Sequence, residues 1–191
     1  MKKLLVCLAC LLLSGCASLP RPREMENMAL LRTLGVDRVQ GEYILTASTG
    51  PGPENAGALV LEGRGTDFPS AVEDLKGNSS STVFLGYVDQ LLVSEGDLLP
   101  VLDYAARDGE LSLGARLWFL RDTTAALAVA SGGRDGVEKR LNTLRLNGAP
   151  TRSAGEVFSD LLDLGEAELP ALRLEGDALY PDAPVREELL P

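Results

Sequence analysis

The sequence predicts a mixed α/β domain, a sheet with packed helices, over about residues 24–150. Strand-like segments, in which apolar and polar residues alternate with period 2, are interspersed along the sequence with helix-like segments, in which apolar residues recur every three to four positions. The composition supports a folded core, because 45% of the 191 residues are hydrophobic and only 24% are charged. No internal repeat is visible.

The first predicted elements are two strands and a helix. Glu42–Thr49 is rich in β-branched and aromatic residues, which favours a strand, and the Gly-Pro run that follows it predicts a loop. A second strand is expected at Ala58–Glu62. Thr66-Asp67 can then cap a helix that tolerates Pro69 in its first turn and stops at Gly77.

The middle of the chain predicts a strand, a helix and another strand. The largely apolar segment Thr82–Val93 is typical of a strand buried on both faces. Ser94 or Asp97 can cap the next helix, which Gly109 ends. Apolar and other residues then alternate from Leu111 to Phe119, the clearest period-2 pattern in the sequence.

Two further helices follow. Thr123 or Thr124 can cap an Ala-rich helix that stops at Gly132-Gly133, and another helix is expected from about Asp135 to Asn147-Gly148. The Gly-Gly-Arg-Asp-Gly string between them lacks the Gly-Lys-Ser/Thr of a phosphate-binding loop. It therefore predicts a turn.

Residues 151–191 differ in composition, with 10 acidic and 3 basic side chains. Ser153 and Glu156 form a capping box before a helix that ends at Gly165, and Leu169–Glu175 could form a strand. The proline-rich and acidic segment 176–191 predicts no compact element. The whole region is either an acidic helix with a solvated tail or the start of an incomplete second domain.

The amino terminus predicts a lipoprotein signal peptide over residues 1–15. Two lysines precede a ten-residue apolar run, which is too short for a spanning helix of roughly 20 residues. The string Leu-Ser-Gly-Cys that ends at Cys16 resembles the bacterial lipobox. The alternative is an ordinary cleaved signal in which Cys16 is incidental. Under either interpretation, Cys7 and Cys10 are small hydrophobic residues of the apolar run.

If Cys16 is acylated, it carries S-diacylglycerol and an N-acyl chain, and the mature protein hangs from the extracytoplasmic face of the cell membrane. Residues 16–23 contain two prolines without periodicity and predict a short tether. Loss of the two signal-peptide lysines changes the net charge from −10 to −12.

The residue inventory excludes most catalytic and metal-binding devices. The sequence has no His, and its three cysteines all lie within the first sixteen residues. We therefore expect no enzyme activity, no cofactor and no metal, and the acidic balance excludes a nucleic-acid partner. The carboxylate pairs Asp160/Asp163 and Glu166/Glu168 are expected on a solvated surface, and Trp118 is expected to pack on the sheet or, alternatively, to anchor a ligand.

Several strings occur in an order that resembles a known family. They are the lipobox, Arg23-Glu24 with Ala29, Gly35-Val36-Asp37, Tyr43-Ile44-Leu45-Thr46, Phe84-Leu85-Gly86-Tyr87, Ser94-Glu95, Leu102-Asp103-Tyr104 and Arg107-Asp108. The chain thereby resembles the N-terminal domain of the Ger(x)C family, the lipoprotein C subunits of nutrient germinant receptors in spore formers. It departs from the family in lacking Trp-Asp after the lipid Cys and in having Tyr87 where His often follows Leu-Gly.

The resemblance implies a non-enzymatic accessory subunit that acts with the integral membrane A and B subunits at the spore inner membrane. Family members are about twice as long, so the chain resembles a shortened member. The matched residues also have structural explanations: close packing for Gly35 and Gly86, a turn cap for Asp37, and a helix end or an interface for Arg107-Asp108. A lipid-anchored solute-binding protein and a structural envelope lipoprotein remain the alternatives.

Overall fold

The structure is a computed structural model that describes residues 28–52, 57–94 and 98–188. Within these ranges the chain forms one sheet of nine strands and five α-helices. The strands are β1 Met28–Val39, β2 Glu42–Thr49, β3 Val60–Gly65, β4 Thr82–Phe84, β5 Gln90–Val93, β6 Arg116–Arg121, β7 Arg152–Ser153, β8 Glu166–Glu175 and β9 Ala178–Glu188. The helices are α1 Phe68–Gly77, α2 Leu99–Asp108, α3 Ala125–Ser131, α4 Glu138–Leu146 and α5 Ala154–Leu164.

The strands lie in the order β3-β2-β1-β5-β6-β8-β9, with β4 beside the amino end of β1 and β7 beside β6. The four central strands β1, β5, β6 and β8 are parallel, whereas β2, β3 and β9 run antiparallel to their neighbours. The predicted mixed α/β class is confirmed.

Helices cover both faces of the sheet, and each face has its own core. Successive strand residues divide between the two: Leu91 and Leu117 lie in a larger core, and their neighbours Leu92 and Trp118 lie in a smaller one. The larger core packs beneath α1, α2 and α5, and the smaller core packs beneath α3 and α4. The strands β5, β6 and β8 therefore contribute apolar residues on both sides, as parallel strands between two helical layers do.

Local capping residues set most helix boundaries as predicted. Asp67 and Ser153 each take part in a capping box, and the Thr124 hydroxyl caps α3. Gly109 and Gly165 end their helices in the left-handed conformation, with φ of 63° and 77°. The predicted Ser94 cap is wrong, because α2 begins after Leu98 without a side-chain cap; Asp97 lies outside the described residues.

Four predicted strands have different bounds, among them β8, which begins at Glu166 instead of Leu169, and the strands β1, β7 and β9 were not predicted. The apolar segment 82–93 is two strands, because a tight turn in which Val88 N–H donates to the Leu85 carbonyl separates β4 from β5. The alternation from 111 to 119 becomes regular strand only at Arg116, after a turn closed by Ala115 and Ser112. β3 lies two residues later than expected, and β1 was not predicted at all.

The prediction that residues 176–191 contain no compact element is wrong. Ala178–Glu188 is an edge strand that pairs antiparallel with β8 around a turn at Gly176, whose φ is +59°. Pro181 and Pro184 are tolerated there because the outer edge of β9 needs no hydrogen-bond donors. Since β8 in turn pairs with β6, the division expected near residue 150 falls inside one continuous sheet.

The signal peptide expected at 1–15 and the tether expected at 16–23 lie outside the described residues. In the ranges that the structure does describe, no helix is both long and apolar enough to span a bilayer.

Candidate functional site

Cys16, the one modification site expected from the sequence, lies outside the described residues, so its acylation stays a prediction. Among residues 28–52, 57–94 and 98–188, no group of three or more His, Cys, Asp or Glu side chains could hold a metal ion. Any functional surface is therefore sought among the family strings, the cavities and the exposed apolar residues.

Asp37 holds the amino end of α3 against the carboxyl end of β1. Its side chain is 3% exposed, and its Oδ1 and Oδ2 accept hydrogen bonds from Ala125 N–H at 2.6 Å and Ala126 N–H at 3.0 Å. A carboxylate at this position also interacts favourably with the positive end of the helix. The sequence predicted that Asp37 caps a turn, but it caps a helix 88 positions later. Both its oxygens are committed to this structural role.

Gly35 serves the same contact between β1 and α3. A Cβ built at this position would lie 2.9 Å from the Ala125 Cβ, 3.1 Å from the Thr46 carbonyl oxygen and 3.2 Å from the Val129 Cγ2. Only glycine lets α3 approach the strand this closely without displacement. The predicted close packing at Gly35 is confirmed.

Arg32 joins three elements on the face of the sheet that carries the smaller core. Its Nη2 lies 2.7 Å from Asp89 Oδ2, in the turn before β5, and 3.1 Å from Glu138 Oε1, at the start of α4. The three side chains are partly exposed and together carry one net negative charge. The sequence did not predict this group, because Asp89 and Glu138 lie 57 and 106 positions after Arg32.

Trp118 is only 1% exposed and lies in the smaller core. Its indole Nε1 donates to Gln90 Oε1 at 2.8 Å, and Gln90 Nε2 reaches Asn142 Oδ1 at 3.4 Å. This chain of polar contacts joins β6, β5 and α4. Trp118 is thus a packing residue, as the first interpretation predicted, and not a ligand anchor.

The carboxylates singled out in the sequence have surface partners. Asp160 pairs with Arg152 at 2.6 Å, and Glu166 pairs with Arg186 at 3.2 Å. Arg107 Nε donates to Asp103 one helical turn earlier, at 2.7 Å, in place of the expected terminal carbonyls. These partly exposed ion pairs indicate a solvated surface.

Glu110 connects α1 with the end of α2. It accepts from the Lys76 ammonium and, at 3.0 Å, from the Tyr104 hydroxyl. The hydrogen bond from Lys76 is the main cause that lowers the pKa of Glu110. Burial is the main cause that raises the pKa of Tyr104, and the adjacent Glu110 raises it further.

A cavity of about 640 Å³ lies between the Gly132–Gly136 turn, α4 and the β8–β9 turn. Its basic side chains are engaged within the protein, since Lys139 pairs with Asp135 at 3.3 Å and Arg140 donates to the Asp177 carbonyl. The Gly132–Gly136 string forms a turn between helices, as predicted. It forms no phosphate-binding loop.

Two exposed aromatic rings stand on the turn that separates β4 from β5, here named the aromatic turn (residues 84–88). Phe84 is 43% exposed and Tyr87 is 53% exposed, with ring centroids 5.5 Å apart. The Phe84 ring lies over Gly86, where an added Cβ would come within 2.8 Å of it, so close packing at Gly86 is confirmed. Buried Leu85 and Val88 fix the turn to the larger core.

A comparison with known families completes the description of the chain. The profile of a family described as the spore germination protein N-terminal domain matches residues 21–174. No curated protein and no solved structure matches the chain.

Proposed function

Because the chain belongs to the family of spore germination protein N-terminal domains, we propose that it is a non-enzymatic, lipid-anchored accessory subunit, of the C type, of a spore nutrient germinant receptor. The observation that carries this proposal is the extent of the match, which covers residues 21–174 and so includes eight of the nine strands and all five helices described. The match also confirms the Ger(x)C resemblance found in the sequence.

The proposed subunit is attached to the membrane through acyl chains on Cys16. The family match begins five residues after this cysteine, so few residues outside the family domain separate it from the proposed lipid attachment. The proposed partners are the integral membrane A and B subunits of the receptor, on the outer face of the spore inner membrane.

The anchor is tested with Cys16→Ser in the full chain. We expect this variant to move from the membrane fraction to the aqueous phase of a detergent partition, because it lacks the thiol that receives diacylglycerol. Cys10→Ser is the matched control, since it changes a cysteine of the signal peptide, and it should stay in the detergent phase. Equal partitioning of Cys16→Ser and the unchanged chain would contradict the anchor.

The receptor role is tested by purifying a tagged full chain from spore membranes. Recovery of multi-span membrane subunits with the unchanged chain, and their loss with Cys16→Ser, is the expected result. A deletion strain without paralogues should also germinate poorly in response to nutrients. Recovery of the chain alone with a bound metabolite, together with normal germination of that strain, would instead support a solute-binding protein.

A further inference from the structure

The aromatic turn stands on a part of the sheet that no described helix covers. Leu30 pairs with Phe84 in the parallel register of β1 and β4, and both point away from the larger core that holds their neighbours Ala29 and Val83. Neither residue belongs to the smaller core beneath α3 and α4. Beside them a groove of about 440 Å³ runs along Met28, Leu30 and Arg32 toward Thr49 and Gly50. At the amino end of β1 this face therefore presents Leu30 and Phe84 beside the charged side chains of Arg32 and Glu138.

The rings are held outward by a rigid support. Val88 N–H donates to the Leu85 carbonyl at 2.9 Å, and Asp89 N–H donates to the Arg32 carbonyl at 3.1 Å. The side chains of Leu85 and Val88 are fully buried, so the turn cannot rotate to bury Phe84 and Tyr87 without extracting them. Exposure of both rings is thus a fixed property of the fold.

The same end of the sheet is where the chain arrives from Cys16. Eleven residues separate Cys16 from Met28, so an extended chain spans at most about 40 Å. Met28 pairs with Thr82, two positions from Phe84. An acyl anchor on Cys16 therefore keeps the amino end of β1, and the aromatic turn beside it, within about 40 Å of the bilayer surface.

The size and chemistry of the surface fit a lipid interface better than a protein. Two rings that are each about half exposed offer about 200 Å² of contact area, whereas a specific protein interface buries about 800 Å² on each partner. Tyrosine, like tryptophan, is enriched at the headgroup level, where its ring meets acyl chains and its hydroxyl meets water, and the adjacent Phe84 ring adds apolar area. We propose that Phe84 and Tyr87 insert into the lipid headgroup region of the membrane to which Cys16 is attached.

This inference rests on the proposed acylation of Cys16. The contact depends on the anchor, because the chain from Cys16 onward carries a net charge of −12 and the Arg32–Asp89–Glu138 group beside the rings is itself negative by one charge. A domain without its acyl chains should not bind anionic vesicles through two rings alone. The rings instead orient a domain that the anchor already holds at the surface.

The test uses the acylated full chain in vesicles of phosphatidylethanolamine and phosphatidylglycerol. A fluorescent label is attached at Thr82→Cys, an exposed position on the face that carries Phe84, and headgroup-labelled quencher lipids report its proximity to the bilayer. The label is specific, because the sulfur of Cys16 is blocked by lipid and the other cysteines leave with the signal peptide. Leu164→Cys is the matched control: it is 69% exposed and lies on α5, on the opposite face.

We expect lipid quenching at residue 82 to exceed that at residue 164 by at least threefold. Adding Phe84→Ser and Tyr87→Ser should reduce quenching at residue 82 toward the control value while the protein stays in the vesicle fraction. Equal quenching at the two positions, or no effect of losing the rings, would overturn the inference and leave the anchor intact. If quenching at residue 82 equals the control in vesicles alone, and the label becomes inaccessible only when multi-span subunits are added, the surface contacts a protein and the inference is overturned. An unlabelled chain that stays in the aqueous phase would contradict the anchor and the inference with it.

Discussion

Asp37 and Gly35 show how two residues of one strand can determine the position of a helix. The glycine supplies the space for α3, and the carboxylate supplies acceptors for its first free amides. α3 has only seven residues, too few to be stable alone, so its position depends on these contacts. The order Gly-Val-Asp in the sequence thus reflects a structural requirement of the smaller core.

Asp37→Ala should lower the free energy of unfolding by about 2 kcal/mol, because it removes a cap and leaves two amide donors without partners, one of them buried. Urea denaturation measures this change. Thr124→Ala is the control, since it removes an exposed cap from the same helix and should cost less than about 1 kcal/mol. A smaller effect for Asp37→Ala than for Thr124→Ala would contradict the assigned role.

The lowered pKa of Glu110 predicts that part of the folding stability is lost in acid. Its pKa is lowered in the folded chain by the hydrogen bond from Lys76, whereas an unfolded glutamate titrates at about 4.3. Its contribution is therefore complete above about pH 4.3 and is lost as the pH falls through the lower folded pKa. The urea midpoint should fall less between pH 6 and pH 3 for Glu110→Gln than for the unchanged chain. An identical fall in both would show that Glu110 does not contribute.

At the scale of elements, sequence patterns predicted the helices better than the strands. Ser153 with Glu156, and Asp67 before its helix, act through neighbours three residues away, so their effect is readable locally. β1 was missed because its pairing with β2 shifts between Leu31 and Thr33, which places the apolar residues on either side of the shift out of the period-2 pattern. Only the partner strand reveals such a shift.

β9 was missed for a different reason, which is its composition. Its prolines and carboxylates disfavour a strand in general, but an edge strand tolerates both. Pro170 of β8 likewise lies where the register with β9 shifts, between Leu169 and Ala171, so it costs no ladder hydrogen bond. Position in the sheet, which the local sequence does not encode, decides whether such residues fit.

Leu179 and Tyr180 test β9 as a strand, because they are neighbours on opposite faces. Leu179 is buried in the smaller core, and Tyr180 is exposed beside the Arg173 guanidinium. Leu179→Ala should lower the free energy of unfolding by about 2–3 kcal/mol, and Tyr180→Ala by less than about 1 kcal/mol. Similar small losses in both variants would indicate a solvated tail.

At the scale of the whole molecule, the two cores share every central strand. Leu91 and Leu92 face opposite cores from adjacent positions, so one core cannot lose its packing while the other keeps its own. The proposed lipid contact also depends on the whole fold, because the Phe-Leu-Gly-Tyr string is visible in the sequence but the exposure of its rings depends on which sheet face the helices leave open. The Arg32–Asp89–Glu138 group likewise could be recognised only from the fold, because its members are distant in sequence.

A shared sheet predicts a single unfolding transition. Trp118 is the only tryptophan, so its fluorescence reports the smaller core, while far-ultraviolet circular dichroism reports all elements. The two signals should change at the same urea concentration and with the same slope. Two separate transitions would instead support a division of the chain near residue 150.

The strand order also has a consequence for the timing of folding. The β6 strand meets β8 only through pairs such as Phe119 with Ala171, which are 52 positions apart, and β9 comes last of all. Contacts so distant in sequence form slowly, because a long loop must close first. Until β8 pairs, β7 covers only Arg116 and Leu117 of β6, and residues 119–121 keep an unpaired edge to which another strand could add. Docking of the β8–β9 hairpin replaces this edge by that of β9, whose Pro181 and Pro184 lack the N–H groups that an added strand would need.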